Sequence, residues 1–180
     1  MKMHIFLTGD TQIGKSTIIR KFLAQTGITF DGLATFWESS DDGGRRLYLS
    51  RYCLGPRHGR KHCIAAFCGK RLMPTKETAE VFDSHGAKIL RSIKKRDIII
   101  LDEIGRLESS ATAFQRLLME YINGSVPILG VISPPTTDFL KQLHSHEKIT
   151  TIEISADNRE LVLTNLLSHQ KEILNGTFDG

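Results

Sequence analysis

Apolar residues along this chain follow two patterns, short continuous runs and longer stretches with helical spacing. Residues 98–101 form an unbroken aliphatic run, which is typical of a strand buried on both faces of a parallel sheet. Residues 114–122 instead carry apolar side chains at i, i+3, i+4, i+7 and i+8, which predicts an amphipathic helix. Strand and helix patterns alternate along the chain. We therefore predict an α/β fold with a mostly parallel central sheet and right-handed crossovers.

The remaining segments complete this prediction. Further strands are expected at 4–8, 33–37, 127–132 and 149–154, and further helices at about 18–26, 76–95, 138–143 and 157–175. A β-hairpin excursion at about 43–71, with strands at 47–52 and 64–67, interrupts the alternation. The length of 180 residues suits one hydrophobic core, so we expect a single domain over 1–176 and a loose tail at 177–180.

The net charge is mild, at +4, but its distribution is uneven. No acidic residue occurs from Gly43 to Thr75, where eight lysines and arginines create a local positive field suited to anions. The apolar run at 5–7 is too short for a signal peptide or a membrane span. The three cysteines are an odd number, which favours reduced thiols. We therefore expect a cytoplasmic protein with no membrane partner.

A phosphate-binding loop, G-x-x-x-x-G-K-[ST], lies between the first predicted strand and the first predicted helix. Its backbone N–H groups would surround phosphates, and the helix N-terminus would add partial positive charge. Lys15 is expected to reach the β- and γ-phosphates, and the Ser16 hydroxyl is expected to bind Mg²⁺. The chain is thus predicted to bind a nucleoside triphosphate. The expected nucleotide-binding residues are Gly9, Asp10, Thr11, Gln12, Ile13, Gly14, Lys15, Ser16 and Thr17.

Two carboxylates follow the apolar run at 98–101. Asp102 is in the Walker B position, where an acidic residue holds Mg²⁺ through its water shell. This position agrees with the rule that ligands bind at the carboxyl ends of parallel strands. Glu103 is suited to orient or deprotonate a water that attacks the γ-phosphate. Mg²⁺ is therefore the expected cofactor, with Ser16 and Asp102 as its protein ligands.

Several segments together resemble the THEP1 family. They are the phosphate loop near the N-terminus, the block D-E-I-G-R-L-E at 102–108, Phe114 on the next helix, and N-R-E at 158–160. The resemblance covers most of the chain. It implies a P-loop NTPase with a RecA/AAA-like fold that hydrolyses nucleoside triphosphates with broad base tolerance. Leu107 stands where the family usually has Met, and residues 35–38 and 44–46 only echo the family's pattern there, which indicates a divergent member.

Arg106 and Arg159 lie on the two distinctive blocks of that resemblance and are therefore candidate catalytic arginines, alongside Glu103 and Lys15. Surface salt bridging is the commoner role for such an arginine taken singly. Trp37 is interpreted as a packing residue more readily than as a base-stacking one.

The basic stretch, residues 43–71, has three interpretations. It is a solvated surface, a lid that closes on the triphosphate and supplies an arginine, or a nucleic-acid surface with Tyr48, Tyr52 and Phe67 as stacking partners. A zinc site is a weaker interpretation, since the spacings match no common ligand pattern and buried thiols explain the cysteines better. The residues concerned are Cys53, His58, His62, Cys63 and Cys68.

Three functions follow from the sequence. Hydrolysis of nucleoside triphosphates is favoured by Asp102, Glu103 and the family resemblance. A nucleotide or small-molecule kinase is the alternative, with Glu38 handling an acceptor hydroxyl and the basic stretch as lid. A regulatory GTPase or nucleic-acid-linked switch is suggested by Asp102-x-x-Gly105 and ranks last, because no N-K-x-D motif is present to bind guanine. Free phosphate released without an acceptor would separate the first two.

Overall fold

The computed structural model describes residues 3–39, 44–54, 61–68, 71–74, 77–94 and 96–178. Within these residues, eight strands form one continuous sheet. In chain order the strands are β1 His4–Thr8, β2 Phe30–Ser39, β3 Arg45–Arg51, β4 His62–Cys68, β5 Arg71–Pro74, β6 Ile98–Ile104, β7 Ile128–Ile132 and β8 Ile149–Glu153.

The strand order is β5-β4-β3-β2-β6-β7-β1-β8. Strands β2, β6, β7, β1 and β8 are parallel, as predicted, whereas β3, β4 and β5 continue the sheet in antiparallel pairs. From β1 the chain crosses to β2, returns through β6 and β7, and then passes β1 to form β8. The strand order therefore reverses beside β1, and in open α/β sheets ligands bind at the carboxyl ends of the strands at such a point.

Helices cover both faces of the sheet. In the described part of the chain the α-helices are α1 Lys15–Thr26, α2 Thr78–Val81, α3 Ala87–Arg91, α4 Thr112–Asn123, α5 Asp138–His144, α6 Arg159–Ser168 and α7 Gln170–Asn175. Phe22 and Leu166 bring α1 and α6 into one buried cluster, and Phe114 brings α4 into another. This three-layer arrangement confirms the predicted fold class. None of the helices described here is long and apolar enough to cross a membrane.

The β-hairpin predicted at 43–71 is present as β3 and β4, and β5 extends it by a strand that the sequence analysis did not predict. Residues Arg71–Pro74 pair antiparallel with the end of β4. The hairpin belongs to the main sheet, because β3 pairs with β2 from Leu33 to Ser39. β2 is longer than the predicted 33–37, since β6 and β3 pair with it on its two edges.

The helix predicted at about 76–95 is present over residues 78–91, but it is not one regular α-helix. The structure has α2 and α3, joined by a π-helical segment at Phe82–Gly86. The Asp83 carboxylate there accepts a hydrogen bond from the Phe114 N–H at 2.8 Å, and the Phe82 and Phe114 rings are 5.2 Å apart. The wider π turn brings both side chains to the start of α4, an arrangement that helical periodicity alone does not predict.

The last predicted helix is also two helices, α6 and α7, which meet at His169. The first of the two, α6, begins at Arg159 rather than at the predicted residue 157. The Asn158 side chain stabilises a turn before the helix by accepting the Ser155 N–H at 2.9 Å. Phe178, expected in the tail, is buried and packs edge-on against His169 with ring centroids 5.6 Å apart.

His4 is a fully buried polar residue of β1. Its Nδ1 accepts the Ile128 N–H at 3.2 Å, so its Nε2 carries the proton and donates to the Ile122 carbonyl at 2.7 Å. Burial, which disfavours the charged ring, lowers the pKa of His4 from 6.5 to about 4. His4 is therefore a neutral structural residue that ties β1 to β7 and to the end of α4.

Candidate functional site

The carboxyl ends of β1, β2, β6 and β7 surround a cleft of about 400 Å³, here called the phosphate cleft. The phosphate loop forms one wall. The other walls come from residues 35–37 of β2, residues 102 and 103 of β6, and residues 131–134 at the end of β7. The segments that carry the two predicted motifs therefore face one cleft.

The phosphate loop turns tightly between β1 and α1. Gly9 and Gly14 have φ angles of 124° and 105°, which L side chains rarely adopt. Lys15 folds back on the loop, and its Nζ donates hydrogen bonds to the carbonyls of Gly9 at 2.8 Å and Asp10 at 2.6 Å. Burial lowers the pKa of Lys15, and the negative charge of Glu103 and other carboxylates opposes that effect.

The other predicted loop residues have different surroundings. Thr11, Gln12 and Thr17 are exposed and line the cleft, whereas Ile13 packs against the core. The Ile18 N–H donates to the Gly14 carbonyl at 3.0 Å as a hydrogen bond of α1. The N–H groups of the preceding turn are at the helix N-terminus, which makes them available to an anion.

The two predicted metal ligands are in direct contact. Ser16 Oγ donates a hydrogen bond to Asp102 Oδ1 at 2.6 Å, and Asp102 is 2% exposed. Both residues line the phosphate cleft. A hydroxyl and a carboxylate are the hard oxygen donors that Mg²⁺ prefers. The donor set therefore fits the predicted ion.

A bulge in β6 carries the two carboxylates. Asp102 and Glu103 together oppose a single residue of β7, and Glu103 has a φ of 79°, which is rare for a residue other than glycine. In a regular strand these neighbouring side chains would point to opposite faces of the sheet. Because of the bulge, both line the phosphate cleft. β6 continues to Ile104, so the carboxylates that follow the apolar run at 98–101 lie within the strand rather than at its end.

Glu103 differs from Asp102 in its surroundings. Its Oε2 accepts a hydrogen bond from Thr35 Oγ1 at 3.4 Å. The side chain keeps contact with solvent, but the protein around it removes part of its hydration, and this desolvation raises the pKa of Glu103. The charge of Asp102 adds to the increase, whereas Thr35 and Lys15 act against it. A raised pKa makes the carboxylate a stronger base.

The two candidate arginines border different parts of the site. Arg159, the first residue of α6, has its Nη1 3.9 Å from the point where a Cβ of Gly14 would lie. Arg106 begins a 3-10 turn after β6 and lines a cavity that adjoins Glu103. Neither guanidinium has a hydrogen bond or an ion pair within the residues that the structure describes. Both cations are therefore available to a ligand.

Among the residues that line the cleft, the sequence analysis did not predict the polar side chains of Arg20, Thr35 and Ser133. Arg20 could have been found, because it follows Ser16 by four positions and so lies on the same side of α1. Thr35 lies in the middle of β2 and Ser133 directly follows β7, and only the tertiary structure brings them to the cleft. Trp37, interpreted as a packing residue, also lines the cleft.

Several cations of the basic stretch have partners in the protein. Arg51 binds Asp31 through both Nε, at 2.7 Å, and Nη2. Lys61 pairs with Glu38 and lies 4.7 Å from the centre of the Tyr48 ring. These contacts indicate structural roles. Tyr52, a predicted stacking residue, is 5% exposed, which leaves it little surface for a base.

Parts of the remaining predictions lie outside the described residues. They include His58, Arg57, Arg60 and Lys70 of the basic stretch and the side chains of His62, Phe67 and Cys68. Cys53 and Cys63 are half-buried.

A family model described as NTPase matches residues 4–167. The nucleoside-triphosphatase THEP1 of Methanocaldococcus jannaschii is 27% identical over 173 residues, which cover 92% of this chain and 96% of that protein. The cancer-related nucleoside-triphosphatase of Homo sapiens is 24% identical over 196 residues, which cover 93% and 96%. The crystal structure of THEP1 from the hyperthermophile Aquifex aeolicus has a TM-score of 0.67 and 22% identity, covering 92% of this chain and 98% of that one. The chain therefore belongs to the NTPase family that includes THEP1, as its resemblance implied.

Proposed function

We propose that this chain hydrolyses nucleoside triphosphates, ATP and GTP among them, to the diphosphate and phosphate with Mg²⁺ as cofactor. The observation that carries the proposal is the contact of Ser16 with Asp102, in a cleft that Lys15 and Glu103 also line. Membership of the NTPase family supports hydrolysis as the reaction class. The names of the relatives, which are nucleoside-triphosphatases, support it as well.

The triphosphate chain would bind along the phosphate loop. The N–H groups at the start of α1 would donate to phosphate oxygens, and the helix dipole favours their negative charge. Lys15 would exchange the carbonyls of Gly9 and Asp10 for the β- and γ-phosphates, because charged oxygens are stronger acceptors than carbonyls. Arg159, close to Gly14, adds a second cation beside the loop.

Ser16 and Asp102 would hold Mg²⁺, Asp102 through the water shell of the ion. When bound, the ion neutralises part of the charge on the β- and γ-phosphates. The existing hydrogen bond between the two side chains keeps both oxygens close together, so little reorganisation is needed before binding.

Glu103 is proposed to act as the general base for the attacking water. Its carboxylate would accept a proton from the water as the oxygen attacks the γ-phosphorus. The bond to the β,γ-bridging oxygen breaks, and its electron pair leaves with the diphosphate. The Thr35 hydroxyl would orient Glu103 through their hydrogen bond. Arg106, which lines a cavity together with Glu103, would favour the negative charge of the transition state.

Release of free phosphate from ATP in the absence of any acceptor tests this proposal. Glu103→Gln is expected to lower turnover by about 10²–10⁴-fold, the usual contribution of a general base, with ATP affinity near that of the parent. Glu147→Gln, at an exposed position outside the cleft, is the matched control and is expected to turn over normally. If Glu103→Gln turns over at the rate of the parent, another residue must act as the general base. No phosphate release by the parent from ATP, GTP, CTP or UTP would overturn the proposal.

A further inference from the structure

A second cavity, of about 550 Å³, adjoins the phosphate cleft and is here called the side cavity. Glu103, Thr35 and Trp37 line both spaces. The side cavity extends from these shared residues past Arg106 and beyond the end of β7 to Thr136. A molecule bound in it would therefore lie next to the carboxylate that faces the transferred phosphoryl group.

The size of the side cavity exceeds what hydrolysis requires. A water molecule occupies about 30 Å³ in the liquid. Sites for small organic ligands usually measure about 300–1,000 Å³, and the side cavity falls in that range. The space is therefore large enough for a second substrate beside the triphosphate.

The walls of the side cavity indicate the chemistry of its ligand. Trp37 and Leu107, which are half-buried, provide an apolar surface, whereas Leu47, at 4% exposed, contributes little to it. Arg106 supplies a cation that has no hydrogen bond or ion pair within the described part of the chain. An apolar surface combined with a cation suits an organic molecule with an apolar or aromatic body and one anionic group.

Glu103 restricts the reacting group of such a molecule, because it lines both cavities. Its carboxylate disfavours an anionic acceptor oxygen by repulsion. A hydroxyl, in contrast, donates its proton to a carboxylate. A hydroxyl oxygen is therefore the acceptor atom that Glu103 favours, and the anionic group of the molecule belongs beside Arg106.

We propose that the side cavity is an acceptor subsite, from which the hydroxyl of a small organic anion takes the γ-phosphoryl group of the nucleotide. The hydroxyl oxygen forms a bond to the γ-phosphorus, and its proton passes to the Glu103 carboxylate. The bond to the β,γ-bridging oxygen breaks, and its electron pair stays with the nucleoside diphosphate. The inference rests on the proposed binding of a triphosphate at the phosphate loop, with water as the default acceptor when the side cavity holds no ligand.

Binding is tested with two probes, 3-phenyllactate and 3-phenylpropionate. Both have an aromatic ring and a carboxylate, but only the first has a hydroxyl. Trp37 is the one tryptophan in the sequence and lines both cavities, so its fluorescence reports occupancy. With a non-hydrolysable ATP analogue bound, both probes are expected to change that fluorescence with similar affinity. Arg106→Gln is expected to weaken the binding of both probes by about 10- to 100-fold, the usual effect of losing a hydrogen bond between charged groups.

Transfer is tested with ATP labelled on the γ-phosphorus. With 3-phenyllactate the parent is expected to form phosphorylated probe, and the ADP produced should exceed the free phosphate. With 3-phenylpropionate the two should be equal. Thr136→Phe, at an exposed position of the side cavity wall, is expected to lower the ratio of phosphorylated probe to free phosphate, whereas Gln142→Phe, exposed on α5, should leave that ratio unchanged.

Two results would overturn the acceptor subsite. One is binding of both probes without any phosphorylated product, and the other is no response of Trp37 to either probe. Phosphate release without a probe is measured separately and tests the hydrolase proposal alone. Phosphorylated 3-phenyllactate together with no phosphate release in the absence of probe would overturn hydrolysis and support the acceptor subsite.

Discussion

The Ser16 hydroxyl donates a hydrogen bond to Asp102 Oδ1 at 2.6 Å and thereby joins the first turn of α1 to β6. The two residues are 86 positions apart, and β7 separates β1 from β6 in the sheet. The contact nevertheless forms because the carboxyl ends of the parallel strands meet at one edge of the sheet. The protein's own hydrogen bond thus brings the two halves of the predicted site together.

Replacing Asp102 tests whether this contact marks a metal site. Asp102→Asn keeps the shape of the side chain but removes its charge, so we expect Mg²⁺-dependent affinity for a non-hydrolysable ATP analogue to fall by about 10- to 100-fold. Calorimetric titrations with Mg²⁺ and with EDTA measure the dependence. Asp138→Asn, at a fully exposed carboxylate, is the control. If the difference in affinity between the Mg²⁺ and EDTA titrations is as large in Asp102→Asn as in the parent, Asp102 is not a metal ligand.

Lys15 has two hydrogen bonds to the loop, with the carbonyls of Gly9 and Asp10, and the phosphates are expected to replace both. Lys15→Ala should therefore melt near the parent temperature but lose the rise in melting temperature that Mg²⁺-ATP produces, since a ligand stabilises only what it binds. Thermal unfolding with and without Mg²⁺-ATP measures this. The control is Lys171→Ala, at an exposed position of α7. A rise in Lys15→Ala equal to that of the parent would show that the lysine does not contact the phosphates.

The parts of the site that the sequence could predict are those encoded in contiguous residues. The phosphate loop requires glycines at the positions of Gly9 and Gly14, followed at fixed spacing by a lysine and a residue with a hydroxyl group. A short sequence pattern is therefore enough to predict the geometry of the loop. The position of Asp102 at the cleft was also predictable, because an apolar run that ends in a carboxylate matches the Walker B pattern in a chain that carries a phosphate loop. The parallel sheet followed from the alternation of strand and helix patterns.

What could not be predicted depends on contacts between distant segments. The bulge that turns Glu103 toward the cleft appears only in the pairing of β6 with β7. The π turn at Phe82–Gly86 depends on its contacts with Phe114, which belongs to another helix. The side cavity is lined by residues of β2 and β3, by the end of β6 and the turn after it, and by the segment after β7, so no single segment carries a pattern for it.

The basic stretch contains arginines with different expected roles. Arg45 lies 5.3 Å from the centre of the Trp37 ring, and Trp37 lines the phosphate cleft, so Arg45 lies beside one wall of that cleft. If this stretch acts as a lid, replacing both Arg45 and Arg46 with Gln should weaken the binding of ATP more than the binding of ADP, because the additional γ-phosphate charge attracts the lid. Equilibrium binding of the two nucleotides, each with Mg²⁺, measures the ratio.

Arg51→Gln is the comparison variant for that experiment. Its hydrogen bonds to Asp31 predict a decrease of about 1–2 kcal/mol in the free energy of unfolding, with the ratio of ATP to ADP affinity unchanged. If the stretch binds nucleic acid instead, the double variant should keep its nucleotide affinities. The salt dependence of its polynucleotide binding should then fall by about one unit of slope for each phosphate that the replaced arginines had neutralised. Unchanged nucleotide binding, and no polynucleotide binding by the parent, would leave these arginines as solvated surface.

The last prediction concerns Glu108, a buried carboxyl whose pKa is raised from 4.5 to about 7 by desolvation, with repulsion from Glu103 adding to the rise. Between these two pH values the folded protein holds a proton that the unfolded chain has lost. The stabilising contribution is therefore complete below pH 4.5 and is lost as the pH rises through 7. His4 acts in the opposite direction, since its lowered pKa reduces stability as the pH falls from 6.5 toward 4. Comparison with a variant is thus needed to isolate Glu108.

Glu108→Gln is that variant, because its amide oxygen can still accept the Gly105 N–H while no charge forms at any pH. His4 is unchanged in both proteins, so its effect cancels when their free energies of unfolding are compared. The stability of the variant relative to the parent is expected to increase by about 3 kcal/mol between pH 4.5 and pH 8, the free energy that corresponds to the shift of the pKa. Urea unfolding at pH 4.5, 6, 7 and 8 measures this difference. If the difference does not vary with pH, Glu108 ionises equally in the folded and unfolded chains, and its burial has no effect on its charge.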